Sequence, residues 1–329
     1  MSDAALLSVR DLHVSFATPR GDLPAVRGIS FDVRRGQVFG IVGESGCGKT
    51  ATGRALLRLI PPPGRITSGQ ILYHGEDLLS LPETSMRALR GRRIAMVFQD
   101  PAAALNPVFT IGRQLTGVIH QHGIASGEAA RQRAFALMEE LGLPAPEHMA
   151  ERYPHQLSGG MQQRVMLAMA LAADPEIIVA DEATTALDVT IQAQIVELLL
   201  RLKRERGLTI IFITHDLGLV AEICDSVAVL YMGRIVEEGG TDSIFHDTKH
   251  PYTQGLLAAM PGEGTWGRPL SVVKGSVPDA TLAISGCSFA PRCPAAMPVC
   301  RSIDPAPVHF GPGHTAWCHL YGAEKDRHG

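Results

Sequence analysis

What this chain lacks narrows its class before any motif is read. Its 329 residues contain no uninterrupted apolar run of about 18 or more, the length at which a bilayer-crossing helix is expected. Met1 to Val9 lacks the basic flank and long apolar core of a secretory signal. A soluble, intracellular chain is therefore expected, free to dock on something that is not soluble. An excess of one charge is missing too. Thirty Lys and Arg stand against 33 Asp and Glu, a net charge of −3, which gives no drive toward non-specific nucleic-acid binding. The cluster Arg87, Arg90, Arg92 and Arg93 reads as a solvated face. There is no internal repeat at a fixed period, and none of the six cysteines forms the CxxC pair of a zinc knuckle. With 45% hydrophobic and 19% charged residues, the chain has material for a large core and is not expected to be disordered. Its length favours two domains.

The residues that are present are organised around GESGCGKT, residues 43 to 50. The apolar run Gln37 to Val42 before it reads as a short buried strand. Ala51 to Leu59 after it reads as a helix, ended by Pro61, Pro62 and Pro63. Strand, glycine-rich loop and helix together are the context a phosphate-binding loop requires. Gly43, Gly46 and Gly48 let the backbone curl so that several N–H groups face one concavity, and the helix dipole adds to the attraction for phosphate. Lys49 is expected to reach the β- and γ-phosphates and the Thr50 hydroxyl to hold Mg²⁺.

Leu7 to Phe16 alternates as a half-buried strand does, and Ile29 to Val33 reads as its continuation. Ile71 to Tyr73 ends at a His74-Gly75 turn, and Ile94 to Phe98 runs into Gln99-Asp100-Pro101. From Pro107 to about Arg164 the sequence has helical period broken by Gly and Pro, a helical insertion. Strands return at Ile177 to Ala180 and Thr209 to Ile213, separated by an amphipathic helix, Ile191 to Arg206. Such alternation predicts parallel strands with ligands at their carboxyl ends. Val227 to Glu238 reads as a hairpin turning at Met232-Gly233. Pro251 to Leu257 reads as a short helix, and beyond Met260 the chain is rich in Pro and Gly and holds four of the six cysteines.

A phosphate loop needs an acid to hold its metal and a group to work on water. Asp181 and Glu182 follow the strand Ile177 to Ala180. Asp181 is suited to hold Mg²⁺ through water, and Glu182 to polarise the attacking water. His215 ends the next strand and could reach the γ-phosphate or that water; a packed core histidine is the alternative. Gln99, at the end of a third strand, could sense Mg²⁺ and the water. Leu157-Ser158-Gly159-Gly160-Met161 opens another helix and forms a second anion nest. One chain cannot easily apply two such nests to one triphosphate, so this one is read as serving a nucleotide held by a second subunit.

Together these motifs resemble the ATP-binding-cassette (ABC) family. They occur in order: GESGCGKT, Val97-Phe98-Gln99, LSGGM, Asp181-Glu182, Ala186-Leu187-Asp188 and His215, across roughly residues 5 to 245. The resemblance implies an α/β P-loop NTPase cassette with a mixed sheet core, an antiparallel β subdomain and a helical insertion at about 101–165. It also implies ATP contacts from Gly43, Ser45, Gly46, Cys47, Gly48, Lys49, Thr50 and Ala51, and from Ser158, Gly159, Gly160 and Asp188 across a dimer interface. Thr50, Gln99 and Asp181 would surround Mg²⁺, with Glu182, His215 and Gln99 catalytic. Phe16 falls where the family stacks an aromatic ring on adenine, although it also fits a core strand. Met161 stands where the family usually has Gln.

Within the family, Asp100-Pro101 with Leu105-Asn106-Pro107, Tyr153-Pro154-His155-Gln156, His250-Pro251-Tyr252-Thr253 and Gly275-Ser276-Val277-Pro278 resemble the ATPase subunits of bacterial oligopeptide and dipeptide importers. Nickel and glutathione importers use similar subunits. The implied function is an ATP-hydrolysing motor at the cytoplasmic face of the inner membrane. Its implied partners are a second, different ABC ATPase subunit, two membrane permease subunits and an extracytoplasmic solute-binding protein. A soluble ABC ATPase acting on nucleic acid or the ribosome would share the chemistry, but usually has two cassettes or a long coiled-coil insertion, and neither is present. Nucleic acid is not an expected partner.

Residues 246–329 are expected to form a small irregular extension. Inside a cell disulfides are not the expected use of its Cys287, Cys293, Cys300 and Cys318, and four thiolates suit zinc or an iron–sulfur cluster equally. Some peptide-importer ATPases that this chain resembles carry a [4Fe–4S] cluster at four such tail cysteines, which favours the cluster over zinc. A structural or docking role follows from its place outside every ATPase motif. Cys47, near a helix N-terminus, has the setting that lowers a thiol's pKa, while small filler is the plainer role. Cys224 reads as core, and Trp317 as packing beside Cys318.

Overall fold

The computed structural model describes residues 5–19, 21–183, 188–260, 273–276, 278 and 285–322. Ala186, Leu187 and Val277, quoted above for the family likeness, lie outside them. The described residues fall into two compact units. One is built from Arg34–Gln37 and Ser80–Ile213, the other from Ala5–Val33, Val38–Leu79 and the described part of Thr214–Gly329.

In chain order the elements are β1 (Ala5–Thr18), β2 (Gly21–Arg34), β3 (Val38–Val42), α1 (Lys49–Leu56), β4 (Gly64–Tyr73) and β5 (Glu76–Asp77). Then come α2 (Glu83–Leu89), β6 (Ile94–Val97), α3 (Pro101–Ala104), α4 (Ile111–Gln121), α5 (Gly127–Glu140), α6 (Pro146–Glu151) and α7 (Gly159–Leu171). β7 (Ile177–Asp181), α8 (Val189–Arg206), β8 (Thr209–Thr214), α9 (Leu217–Ile223), β9 (Ser226–Tyr231) and β10 (Arg234–Gly240) follow. The last are α10 (Thr241–His246), α11 (Pro251–Ala258), β11 (Pro307–Gly311) and β12 (His314–Trp317).

In the first unit β6, β7 and β8 run parallel. All residues of β7 and β8 are buried, as parallel strands covered on both faces must be. The amphipathic α8 buries Ile195, Val196, Leu198, Leu199 and Leu202, is capped by the Asp188 carboxylate, and ends at Gly207 with φ 63°. That stop is the left-handed C-terminal cap glycine favours. The insertion is α3 to α6 leading into α7, with no strand among its described residues, as its texture predicts. Arg90 pairs with Glu83 and Arg93 with Glu176, so two of the clustered arginines serve local ion pairs on an outer face.

In the second unit β1 pairs antiparallel with β4 in a sheet ordered β2-β1-β4-β5. Ile29 to Val33 therefore belongs to a strand folded back beside β1, not to a continuation of it. The turn follows from Gly21, at φ 114°, a conformation glycine adopts freely. β3 pairs parallel with β9, and β9 antiparallel with β10. The β9–β10 hairpin turns at Met232 and Gly233, with φ 46° and 80°, the doubly left-handed turn that matches strand twist. The extension is less irregular than expected: β11 and β12 pair, and β12 extends the sheet by pairing with β10.

This attachment is fixed by a buried carboxylate. Glu237 of β10 is fully buried and accepts from the Thr248 hydroxyl, the Lys249 and His250 N–H groups, and His314 of β12. Four donors are what a buried carboxylate needs to offset its desolvation.

Candidate functional site: the phosphate loop and the acidic strand end

The second unit holds the loop. β3 is buried at all five positions and delivers the chain into Gly43, Gly46 and Gly48, at φ 153°, 79° and 106°. Close backbone approach makes glycine necessary at two of these. A Cβ on Gly43 would lie 2.2 Å from the Leu230 carbonyl oxygen, and one on Gly48 2.3 Å from that of Ala25. The β9–β10 turn backs the loop as well, since the Gly233 N–H donates to the Cys47 carbonyl at 2.8 Å. α1 starts at Lys49 with no side-chain cap, and a helix start after a glycine-rich loop is a setting that attracts phosphate. Ser45 and Gly46 are exposed, and Thr50 and Ala51 half-buried.

Lys49 is only 4% exposed. Its Nζ donates to the carbonyls of Gly43 and Glu44 at 2.8 and 3.1 Å, so the ammonium lies folded against its own loop. The Cys47 thiol is buried, and burial raises its pKa against the opposing charge of Lys49. The lowered pKa suggested by its place near a helix start is thus corrected: desolvation wins, and the side chain is filler.

Phe16, also in this unit, is half-buried. Its ring edge lies against Gly64, where a Cβ would meet Cε1 at 2.5 Å. His215 is exposed, which corrects the packed-core alternative. Asp216 caps α9 by accepting from the N–H groups of Gly218 and Leu219. Cys224 is core, its Sγ 2.9 Å from where a Cβ on Gly40 would stand.

The first unit holds the acids. Asp181 ends β7 at 1% exposure. Glu182 follows at φ 48°, a left-handed conformation that a non-glycine residue adopts at a cost and that concentrates at functional positions. Its N–H donates to the Ile213 carbonyl at 2.9 Å, and its Oε2 accepts from Gln99 Nε2 at 2.7 Å. Two side chains from separate strand ends, both singled out by sequence, thus meet.

Ser158 caps α7 by accepting from the Met161 N–H at 3.4 Å, and Gln162 pins the turn through the carbonyls of Pro154 and Leu157. Ser158 and Gly159 are exposed. Gly160 packs on Ile191, whose Cγ2 lies 2.8 Å from where a Cβ would stand. Asp188 is exposed and caps α8 through the Ile191 N–H at 2.9 Å.

The four tail cysteines are all free, with Cys300 and Cys318 buried and the other two half-buried. Burial raises the thiols of Cys287, Cys293 and Cys318, the last to about 11, and the charge of neighbouring thiols adds to each rise. The donor set is soft enough for zinc or an iron–sulfur cluster. It is not closed, however: among the described residues no group of three or more His, Cys, Asp or Glu could hold a metal ion. Trp317 lines a cavity of about 170 Å³ with Cys287 and Ser288.

Sequence reasoning missed the grip of the extension on the phosphate loop. The Glu44 N–H donates to the Tyr252 hydroxyl of α11 at 2.9 Å. The Glu44 carboxylate is forked by Arg292 at 2.7 and 3.0 Å. The only signal was an acidic residue inside an anion-binding loop, which calls for a cation nearby.

The strand, the bent glycines and the inward lysine define a P-loop nucleotide-binding protein. Comparison with known proteins narrows this. Residues 26–185 match the ABC transporter family, and residues 236–300 match the C-terminal region of oligopeptide/dipeptide transporters. The chain is 46% identical over 316 residues to the dipeptide transport ATP-binding protein DppD of Bacillus subtilis, covering 96% of this chain and 94% of the relative. It is 50% identical over 302 residues to the oligopeptide transport ATP-binding protein OppD of the same organism, covering 91% and 84%. Among solved structures, a dimeric ATP-binding cassette in a post-hydrolysis state, bound to ADP and Pi, matches with TM-score 0.65 and 28% identity over 71% of this chain and 98% of its own. The chain belongs to the ABC transporter ATPase family.

Proposed function

We propose that the chain is the ATP-hydrolysing motor subunit of an importer for dipeptides or oligopeptides, working from the cytoplasmic face of the membrane. The observation that carries this is the conjunction of an intact phosphate loop with close likeness, along nearly the whole chain, to dipeptide and oligopeptide transport ATP-binding proteins. No helix among the described residues is long and apolar enough to cross a membrane, so translocation is assigned to separate permease subunits, fed by an extracytoplasmic solute-binding protein. The groove of about 720 Å³ lined by Thr110, Arg113, His120, Arg131, Phe135 and Glu151 of the insertion offers such a partner both apolar and charged contacts. A cassette of a different chain is the proposed second ATPase. The proposed division is an ATP-binding domain over 1–245, with the insertion at about 101–165, and an extension over 246–329.

In this reading Lys49 leaves its loop carbonyls for the β- and γ-phosphates, and the N–H groups of residues 43–51 hold the phosphate oxygens. Thr50 and Asp181, with Gln99, would hold Mg²⁺, which would neutralise the charge that builds on the phosphoryl oxygens. Glu182, oriented by Gln99, accepts the proton of the attacking water, and His215 hydrogen-bonds the γ-phosphate. Phe16 stacks on adenine. Ser158, Gly159, Gly160 and Asp188 close over the nucleotide of the partner cassette. A [4Fe–4S] cluster on the four tail thiols, in a structural or docking role, rests on the family resemblance alone, because the described residues form no group that could hold a metal ion; visible absorbance lost on Cys300→Ser would support it, and colourless protein with stoichiometric zinc would refute it. The reading as a whole is tested by titrating the full-length chain with ATP and Mg²⁺. Saturable binding is expected, and Lys49→Ala should weaken it by about a hundredfold, roughly 2.7 kcal/mol. Equal affinity in the two proteins would end the proposal.

A further inference from the structure

Glu44 is an anomaly in the loop it belongs to. A carboxylate inside a cradle built for a triphosphate repels the ligand unless a cation answers it. The cation comes from the extension. Arg292, in the stretch between Cys287 and Cys293, has a side chain only 5% exposed. Its two terminal nitrogens fork the Glu44 carboxylate at 2.7 and 3.0 Å. The remaining donors are used as well: Nε on the Lys274 carbonyl, one terminal nitrogen on the Val273 carbonyl and the other on the Tyr231 hydroxyl. The guanidinium carbon also lies 5.8 Å from the Tyr231 ring centre and 6.0 Å from that of Phe289.

A planar fork with every direction fixed is pre-organised, unlike a flexible surface pair. Glu44 itself is held at three points. Its carboxylate goes to Arg292, its N–H to the Tyr252 hydroxyl at 2.9 Å, and its carbonyl to Lys49 Nζ at 3.1 Å. Two of these restraints come from beyond residue 250, the third is the loop lysine, and the Cys47 N–H also donates to the Glu44 carbonyl at 3.3 Å. The backbone that presents its N–H groups to phosphate is therefore shaped partly by the extension.

We propose that Arg292 is a positioning residue of the ATP site: by neutralising and fixing Glu44 it sets the phosphate loop for nucleotide, which makes the C-terminal extension part of the ATP-binding machinery as well as a docking appendage. This rests on the reading of the loop as an ATP site. It acts on affinity, because Arg292 touches the loop and not the reacting atoms.

The test is a double-mutant cycle in the full-length chain. It reads ATP·Mg²⁺ affinity by titration with a fluorescent ATP analogue and thermal melting in the chain itself, and KM and kcat for ATP in the chain assembled with the proposed partners. Arg292→Gln should weaken ATP binding about tenfold, raising KM with kcat within about twofold of the parent. Adding Glu44→Gln to Arg292→Gln should restore most of the affinity, since the uncompensated carboxylate is gone; a scaffolding role for Arg292 would show no such rescue. An Arg292→Gln protein that melts normally and binds ATP within about twofold of the parent overturns the proposal, as does a double variant no better than the single. If Arg292→Gln does not fold, Arg292→Lys, which keeps the charge but not the fork, should bind a few-fold more weakly at unchanged kcat; parental affinity in that variant overturns it. Lys49→Ala separates the two readings: binding by the parent that Lys49→Ala removes, with Arg292→Gln unaffected, sinks only the role of Arg292, whereas no saturable binding by the parent sinks both.

Discussion

Acid should loosen the extension through one imidazole. His250 is 1% exposed, and burial lowers its pKa from 6.5 to about 4, against the opposing pull of the Glu237 carboxylate. Its Nδ1 accepts the Tyr252 N–H at 3.1 Å and so caps α11. The native state therefore needs a neutral ring with a bare Nδ1, and protonation removes the acceptor. The sign follows directly. The folded pKa lies below the unfolded one, so the unfolded chain binds more protons in acid; stability is full above about pH 6.5 and is lost as pH falls toward about 4. At about 1.4 kcal/mol per unit, roughly 2 kcal/mol should go between about pH 6.5 and about pH 5. The assay is urea unfolding followed by circular dichroism at a series of pH values, comparing the parent with His250→Asn. Asparagine also caps a helix but does not titrate. The gap between the two should shift in favour of the variant by roughly 2 kcal/mol across that range. Parallel pH profiles would rule out His250 as the group whose protonation destabilises the fold. Because Tyr252 of the same helix holds the Glu44 N–H, ATP affinity in the parent should fall over the same interval.

Two further outcomes follow from packing. Gly43→Ala should abolish saturable ATP binding, since the added carbon would stand 2.2 Å from the Leu230 carbonyl oxygen at a φ of 153°. Gly46→Ala, with nothing within 4 Å, should cost only about 1–2 kcal/mol for its left-handed φ; equal losses in a titration of the two would contradict the packing argument. Glu237→Ala leaves four donors without their buried acceptor. It should destabilise the protein by roughly 3–5 kcal/mol, and an unchanged melting temperature would remove Glu237 from its role as the pin of the extension.

The elements built on strong periodicity were legible in the sequence. The all-apolar runs of β3, β7 and β8, the amphipathic face of α8 and the Met232-Gly233 turn each carry a local pattern strong enough to fix their type. Long-range partners were not legible. Ile29 to Val33 could be read as a strand, but that it folds back beside β1 depends on the turn before it. Short alternation at β11 and β12 is lost among Pro and Gly, and the pairing of β12 with β10 and the Glu237–His314 contact that supports it join residues no local pattern links. At the candidate site the glycines, Lys49, Asp181 and Glu182 announce themselves by spacing and context. The left-handed backbone of Glu182 and its bond to Gln99 do not, because both depend on where separate strands end. The clamp of Arg292 on Glu44 spans 248 residues, and no local pattern marks either member as the other's partner.

Whether this chain hydrolyses ATP is read from the phosphate it releases. In the chain assembled with the proposed permease subunits and partner cassette, the parent should release phosphate from ATP and Mg²⁺. Glu182→Gln should bind ATP as tightly but release phosphate at least about a hundredfold more slowly from its own site, the scale expected when a general base is removed. Undiminished release by Glu182→Gln from that site, or none above background from the parent assembly, would contradict the account.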